Sequence, residues 1–157
     1  MSAIETYMDE AFAEAYLSVR KNIGGPFGAV VVKDGKVIGK GGNQVSSLND
    51  PTAHAEIMAI RDACQHIKSF DLSGSRLYTT CEPCPMCLSA IYWANIEMVY
   101  YSSTRHDAAS IGFKDNHIYE ELNCEIEKRK IPFQHFHHTK ADELFREWSE
   151  KIDKIPY

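Results

Sequence analysis

Two short fragments carry the residues best suited to chemistry in this 157-residue chain: His54-Ala55-Glu56 and Pro83-Cys84-Pro85-Met86-Cys87. Together they offer one imidazole, two thiols and a carboxylate. A structural zinc site takes four protein ligands, whereas a catalytic one keeps three and leaves a fourth position for water. His54, Cys84 and Cys87 as ligands, with Glu56 spare beside them, match the second arrangement and imply one Zn2+ per chain. Glu56 is then placed to move protons during a hydrolytic step.

Each fragment needs an element that aims it. Asn49-Asp50-Pro51 breaks the preceding segment, and the apolar spacing predicts a helix over Ala53–Ile67 with Ile57, Ile60 and Cys64 on one face. His54 and Glu56 then fall in its first turn, and residues two apart point in different directions. One can bind metal while the other faces the open coordination position. Pro83-Cys84 opens a second helix, with Pro85 where a missing N–H costs little. Cys84 and Cys87, three apart, share a face of it, and the positive ends of both helices favour thiolate over thiol. A redox dithiol would explain the cysteines alone, and a capping or core histidine would explain His54 alone. A four-ligand site using Cys81 leaves Glu56 without a task, so Cys81 is read as a non-ligand.

The rest of the sequence is expected to build an alternating α/β fold. Ile4–Lys21 has helical apolar spacing. Two Val/Ile-rich runs flank Asp34-Gly35, a strong hairpin signal. Arg76–Thr80 and Met98–Tyr101 read as further strands, Phe133–His137 as an edge strand, and Ala141–Ile152 as a last helix. The expectation is a three-layer α/β/α sandwich around a central mixed sheet of about five strands. No linker or repeat divides the chain, so residues 1–157 read as one domain ending in a helix and tail over 140–157. The remaining histidines, including His135, His137 and His138, read as surface or packing residues.

Composition bounds the function. With 44% hydrophobic and 25% charged residues, the chain has the profile of a single globular domain. It has no apolar run long enough to span a bilayer and no secretory signal. Five cysteines, three of them near the expected metal, argue for a reducing cytoplasm rather than a disulfide framework. A net charge of −5 does not suit a polyanionic partner.

On these motifs the chain resembles the cytidine deaminase-like superfamily, whose zinc nucleobase deaminases carry H-x-E followed by P-C-x-x-C. Within it the chain is similar to the small zinc-dependent bacterial guanine deaminases. Gly24–Ala29, Asn43, Asn49–Glu56, Cys81–Ala94, Asp107–Ala109, Gly112-Phe113, Asp115 and Tyr119 carry that likeness. The resemblance implies hydrolysis of guanine at C2 to xanthine and ammonia, with Glu56 as proton shuttle. It implies base contacts from Ala55 and from Phe27 and Trp93, two aromatics suited to sandwich a flat purine. It also makes Asn43 a bidentate amide contact and Asp115 a second carboxylate near C2. Finally, it implies a homodimer in which the C-terminal segment is exchanged and Tyr157 caps the partner's pocket. A tail folded back on its own chain is the alternative.

Two other activities and one non-catalytic role compete with this reading on sequence. A tRNA-specific adenosine deaminase carries nearly the same zinc motif, but would need clustered Lys and Arg for phosphates. The last helix here is acidic, and Lys128-Arg129-Lys130 is the one basic run. A guanosine or other purine nucleoside deaminase differs only in pocket depth. A non-catalytic zinc module would have no use for Glu56. Cytidine deaminases usually place Cys where His54 stands.

Overall fold

The hairpin shows how closely local sequence dictates structure here. The computed structural model describes residues 2–157, and in it β1 (Gly28–Lys33) and β2 (Lys36–Gly42) pair antiparallel. Asp34 and Gly35 between them both have positive φ, 50° and 73°, which the tight two-residue turn demands. Along β1 the side chains alternate between faces. Ala29 and Val31 join one apolar cluster, Val30 and Val32 another.

Those two clusters define the layers. Helix α1 (Ala3–Arg20), started by a Ser2/Glu5 capping box, lays Tyr7, Met8 and Ala11 over Val30, Val32 and Tyr78. Helices α3 (Ala55–Ile67) and α4 (Pro85–Trp93) cover the opposite face, where Ala59, Ile60, Ala63 and Ile91 pack on Ala29, Val31 and Leu77. The sheet is completed by β3 (Ser75–Cys81) and β4 (Met98–Ser103), in the order β2-β1-β3-β4. β1 and β3 run antiparallel, β3 and β4 parallel, so the sheet is mixed. The parallel pair needs a crossover, which α4 supplies.

The sheet has four strands among the described residues, one fewer than expected. The missing one is Phe133–His137, whose apolar–polar alternation suggested an edge strand. It forms neither helix nor ladder, and its side chains are exposed. Alternation selects a strand only when a partner edge buries one of its faces.

The described residues divide into two compact units, one ending at Asp115 and the other Asn116–Tyr157. The first also contains the short helices α2 (Val45–Leu48) and α5 (Arg105–Ser110). The second holds α6 (Asn116–Asn123), a 3-10 turn (Ile126–Lys128) and α7 (Thr139–Glu150), and none of its residues is buried. Among the described residues, no helix is long and apolar enough to cross a membrane.

Candidate active site

Both zinc-motif fragments sit where a loop turns into a helix. His54 is the N-cap of α3 and Cys84 the N-cap of α4, each in extended backbone conformation. Neither side chain caps its own helix, and both turn instead to a common centre. Cys84 Sγ and Cys87 Sγ each lie 3.6 Å from His54 Nδ1, and the three ligand atoms are all within 4.8 Å of one another. Zinc bonds of usual length at tetrahedral angles would separate sulfur from nitrogen by about 3.6 Å. The spacing and the donor set therefore fit one zinc ion, held through Nδ1 of His54. Cys81 stands apart: its thiol donates to the Thr104 carbonyl at 3.6 Å, and burial pushes its pKa up to about 11.

The charges around this centre are strongly coupled. Hydrogen bonding from the Cys87 thiol, with a further contribution from His54, lowers the Cys84 pKa to about 4 against the opposing effect of burial. Cys87 is pushed far above the thiol range by its bond to Cys84, by burial and by the nearby Glu56. The pair thus holds one thiolate and one thiol, and a metal ion would take the place of the second proton. The Cys84 thiolate also raises the His54 pKa. Glu56, one residue into the first turn of α3, is only 6% exposed, and burial raises its pKa to about 7. A carboxyl group near neutrality can serve as base and acid in one turnover.

The open end of the hairpin forms the neighbouring wall. Asn43 N–H donates to the Phe27 carbonyl at 2.9 Å, placing these two residues opposite each other just beyond the ladder. Gln44 N–H donates to the Ala53 carbonyl at 2.9 Å and ties this wall to the approach of α3. Asn43 is buried, and its Oδ1 accepts from the N–H groups of Gly25 (3.1 Å) and Val45 (3.3 Å). With both lone pairs engaged, only Nδ2 remains to meet a base. A bidentate amide contact of the kind expected from sequence would have to share Oδ1 with these two backbone donors. Ala55 is the first residue of α3 and fully buried, with its N–H in the turn that has no intrahelical acceptor.

Asp115 lies close enough to His54 and Cys81 for its charge to raise both pKa values. Phe113, two residues earlier, packs at a right angle to Phe27 with 4.7 Å between ring centroids. No role for Phe113 follows from sequence, although an aromatic within an otherwise polar loop was a usable signal. Trp93 lies at the far end of the helix that carries Cys87. It is the last residue of α4, about 9 Å along the axis from Cys87, and 67% exposed. Tyr157 belongs to the second unit.

Comparison with known proteins agrees with this geometry. A family model of the cytidine and deoxycytidylate deaminase zinc-binding region matches residues 1–103. The chain is 47% identical over 153 residues to guanine deaminase of Bacillus subtilis, covering 98% of both chains. It is 34% identical to the tRNA-specific adenosine deaminase of Aquifex aeolicus, over 81% of this chain and 82% of the relative. The X-ray structure of the Bacillus subtilis guanine deaminase superposes with a TM-score of 0.94, again over 98% of each chain.

Proposed function

From the premise that the chain belongs to the cytidine and deoxycytidylate deaminase family, we infer that it hydrolyses guanine to xanthine and ammonia. The observation that carries this reading is the extent of the likeness. The match to the guanine deaminase runs through 98% of the chain at a TM-score of 0.94, whereas the adenosine deaminase match stops at 81%.

His54, Cys84 and Cys87 would hold the zinc. When bound, zinc lowers the pKa of a coordinated water from 15.7 towards about 7 and so supplies a nucleophile at neutral pH. Glu56 takes the proton released as the water oxygen adds to C2, and hands it to the ring nitrogen beside that carbon. It then takes the second proton from the new C2 hydroxyl and delivers it to the exocyclic nitrogen, so that the C2–N bond breaks, ammonia leaves and the C2 carbonyl of xanthine forms. Water and guanine are the only reactants, and xanthine and ammonia the only products. The near-neutral pKa of Glu56 supports both halves of this role.

Asp115 is the second carboxylate, facing the N–H donors on the C2 edge. Phe27 stacks on one face of the base, Asn43 Nδ2 donates to a ring acceptor, and the Ala55 N–H lines the pocket. The assignment of Trp93 to the opposite face rests on resemblance.

The 157 residues act in this reading as one deaminase domain in a cytoplasmic homodimer, with segment 140–157 exchanged so that Tyr157 caps the partner's pocket. Support comes from the second unit, where no residue is buried and Phe145 of α7 is 73% exposed. Apolar surface of that kind marks an interface. The five cysteines, none in a disulfide, fit a reducing compartment. Ammonia release by the zinc-loaded protein, screened over free bases and their nucleosides, tests the substrate. Guanine should lead. A higher rate on guanosine would move the assignment to a nucleoside deaminase.

A further inference from the structure

One apolar contact behind the site has no part in the chemistry above. The Phe113 ring meets Phe27 at 84° with 4.7 Å between centroids, the edge-to-face geometry that aromatic pairs favour. Its tip rests on Gly25. A methyl group there would lie 3.0 Å from Phe113 Cζ and 3.2 Å from Phe27 Cδ2, so the two rings close tightly over the bare α-carbon. Gly25 is itself fastened through its N–H to Asn43 Oδ1. The backbone of Phe113 is fixed as well, its N–H donating to the Ala108 carbonyl at 3.1 Å at the end of α5. From this anchored residue the chain runs without helix or strand to Asp115, two positions on.

We propose that Phe113 is a positioning residue: its ring, seated on Gly25 and against Phe27, sets the Asp115 carboxylate relative to the ring on which the base stacks. The proposal rests on the reading of Asp115 as a carboxylate that acts on the substrate. Phe113 is 43% exposed, so it is not a core residue whose loss must unfold the chain. Small displacements of a reacting group are expensive, at roughly 10²-fold per ångström.

A double-mutant cycle on the zinc-loaded enzyme tests it. Phe113→Ala should lower kcat on guanine by on the order of tenfold or more, with KM, zinc content and melting temperature close to the parent. In an Asp115→Asn background the same substitution should change kcat by less than about twofold, because the group it positions is gone. Phe113→Leu, which still reaches Phe27, should restore most of the loss. Gly25→Ala is the second variant: its methyl requires the two rings to give by a few tenths of an ångström and should show a smaller loss of the same non-additive kind. Equal fold-losses in both backgrounds, or parental kcat in both Phe113→Ala and Gly25→Ala, would overturn the proposal. Full turnover by Asp115→Asn alone would instead remove the reading beneath it.

Discussion

At the scale of single residues, Glu56 carries the greatest consequence. Its substitution by Gln keeps the shape and removes the proton acceptor. The variant should retain zinc and fold while losing at least about 10²–10⁴-fold in turnover, and steady-state kinetics beside metal analysis would show whether it does. Near-normal turnover would end its role as shuttle. The same residue makes a stability prediction. In metal-depleted protein the folded chain keeps the Glu56 proton up to about pH 7, while the unfolded chain releases it near the ordinary glutamate value of 4.5. Between those values the folded state binds more protons, so this group's contribution to stability falls as pH rises and its cost is complete above about pH 7. Metal-depleted Glu56→Gln should therefore be more stable than the metal-depleted parent at about pH 8, by at most on the order of 3–4 kcal/mol, with the gap closing towards acid. A gap that widens towards acid would contradict the buried-carboxylate account.

The ligands are equally exposed to test. Cys84→Ser should empty the site and Cys81→Ser should not, because the Cys84 sulfur, like that of Cys87, faces His54 Nδ1 whereas Cys81 bonds the Thr104 carbonyl. Metal analysis giving the reverse pattern would overturn the assignment. His54, Cys84, Cys87 and Glu56 were legible in the sequence because each lies at a helix start that proline and turn residues announce nearby. The use of Nδ1, the two backbone donors on Asn43 Oδ1 and the Phe113–Phe27 contact were not. Apart from the local Val45 donor, they depend on which residues meet across loops 18 to 86 positions apart, which spacing does not encode.

At the scale of elements, sequence reading succeeded where one physical cause dominates. The Asp34-Gly35 turn fixes the hairpin, and apolar periodicity places α1 and α3 to within one or two residues of their ends. It failed at Phe133–His137, where alternation without a partner edge leaves a segment with no regular structure. It also missed α2 and placed α7 two residues late, since His138 supplies the N-cap by accepting from Lys140 N–H. The C-terminal segment makes the prediction proper to this scale. Residues 154–157 add little to any core, all being exposed. Deleting them should leave zinc content and melting temperature unchanged yet markedly lower guanine turnover, as loss of a pocket lid would. Full activity in the truncated protein would remove the lid from the account.

For the molecule as a whole, charge decides between partners that the zinc motif alone does not separate. Binding tRNA requires several phosphates to be neutralised by clustered Lys and Arg. This chain carries 22 acidic against 17 basic Lys and Arg residues, and Asp142, Glu143, Glu147 and Glu150 line its last helix. A neutral free base needs no such field. The most direct measurement compares the two substrates side by side, at low ionic strength where RNA binding is favoured, using the zinc-loaded protein and its Glu56→Gln variant as control. Xanthine formation from guanine should far exceed inosine formation in a tRNA anticodon stem, and should vanish in the control. Faster inosine formation, with guanine left unchanged, would contradict the account and make the protein an RNA-editing deaminase.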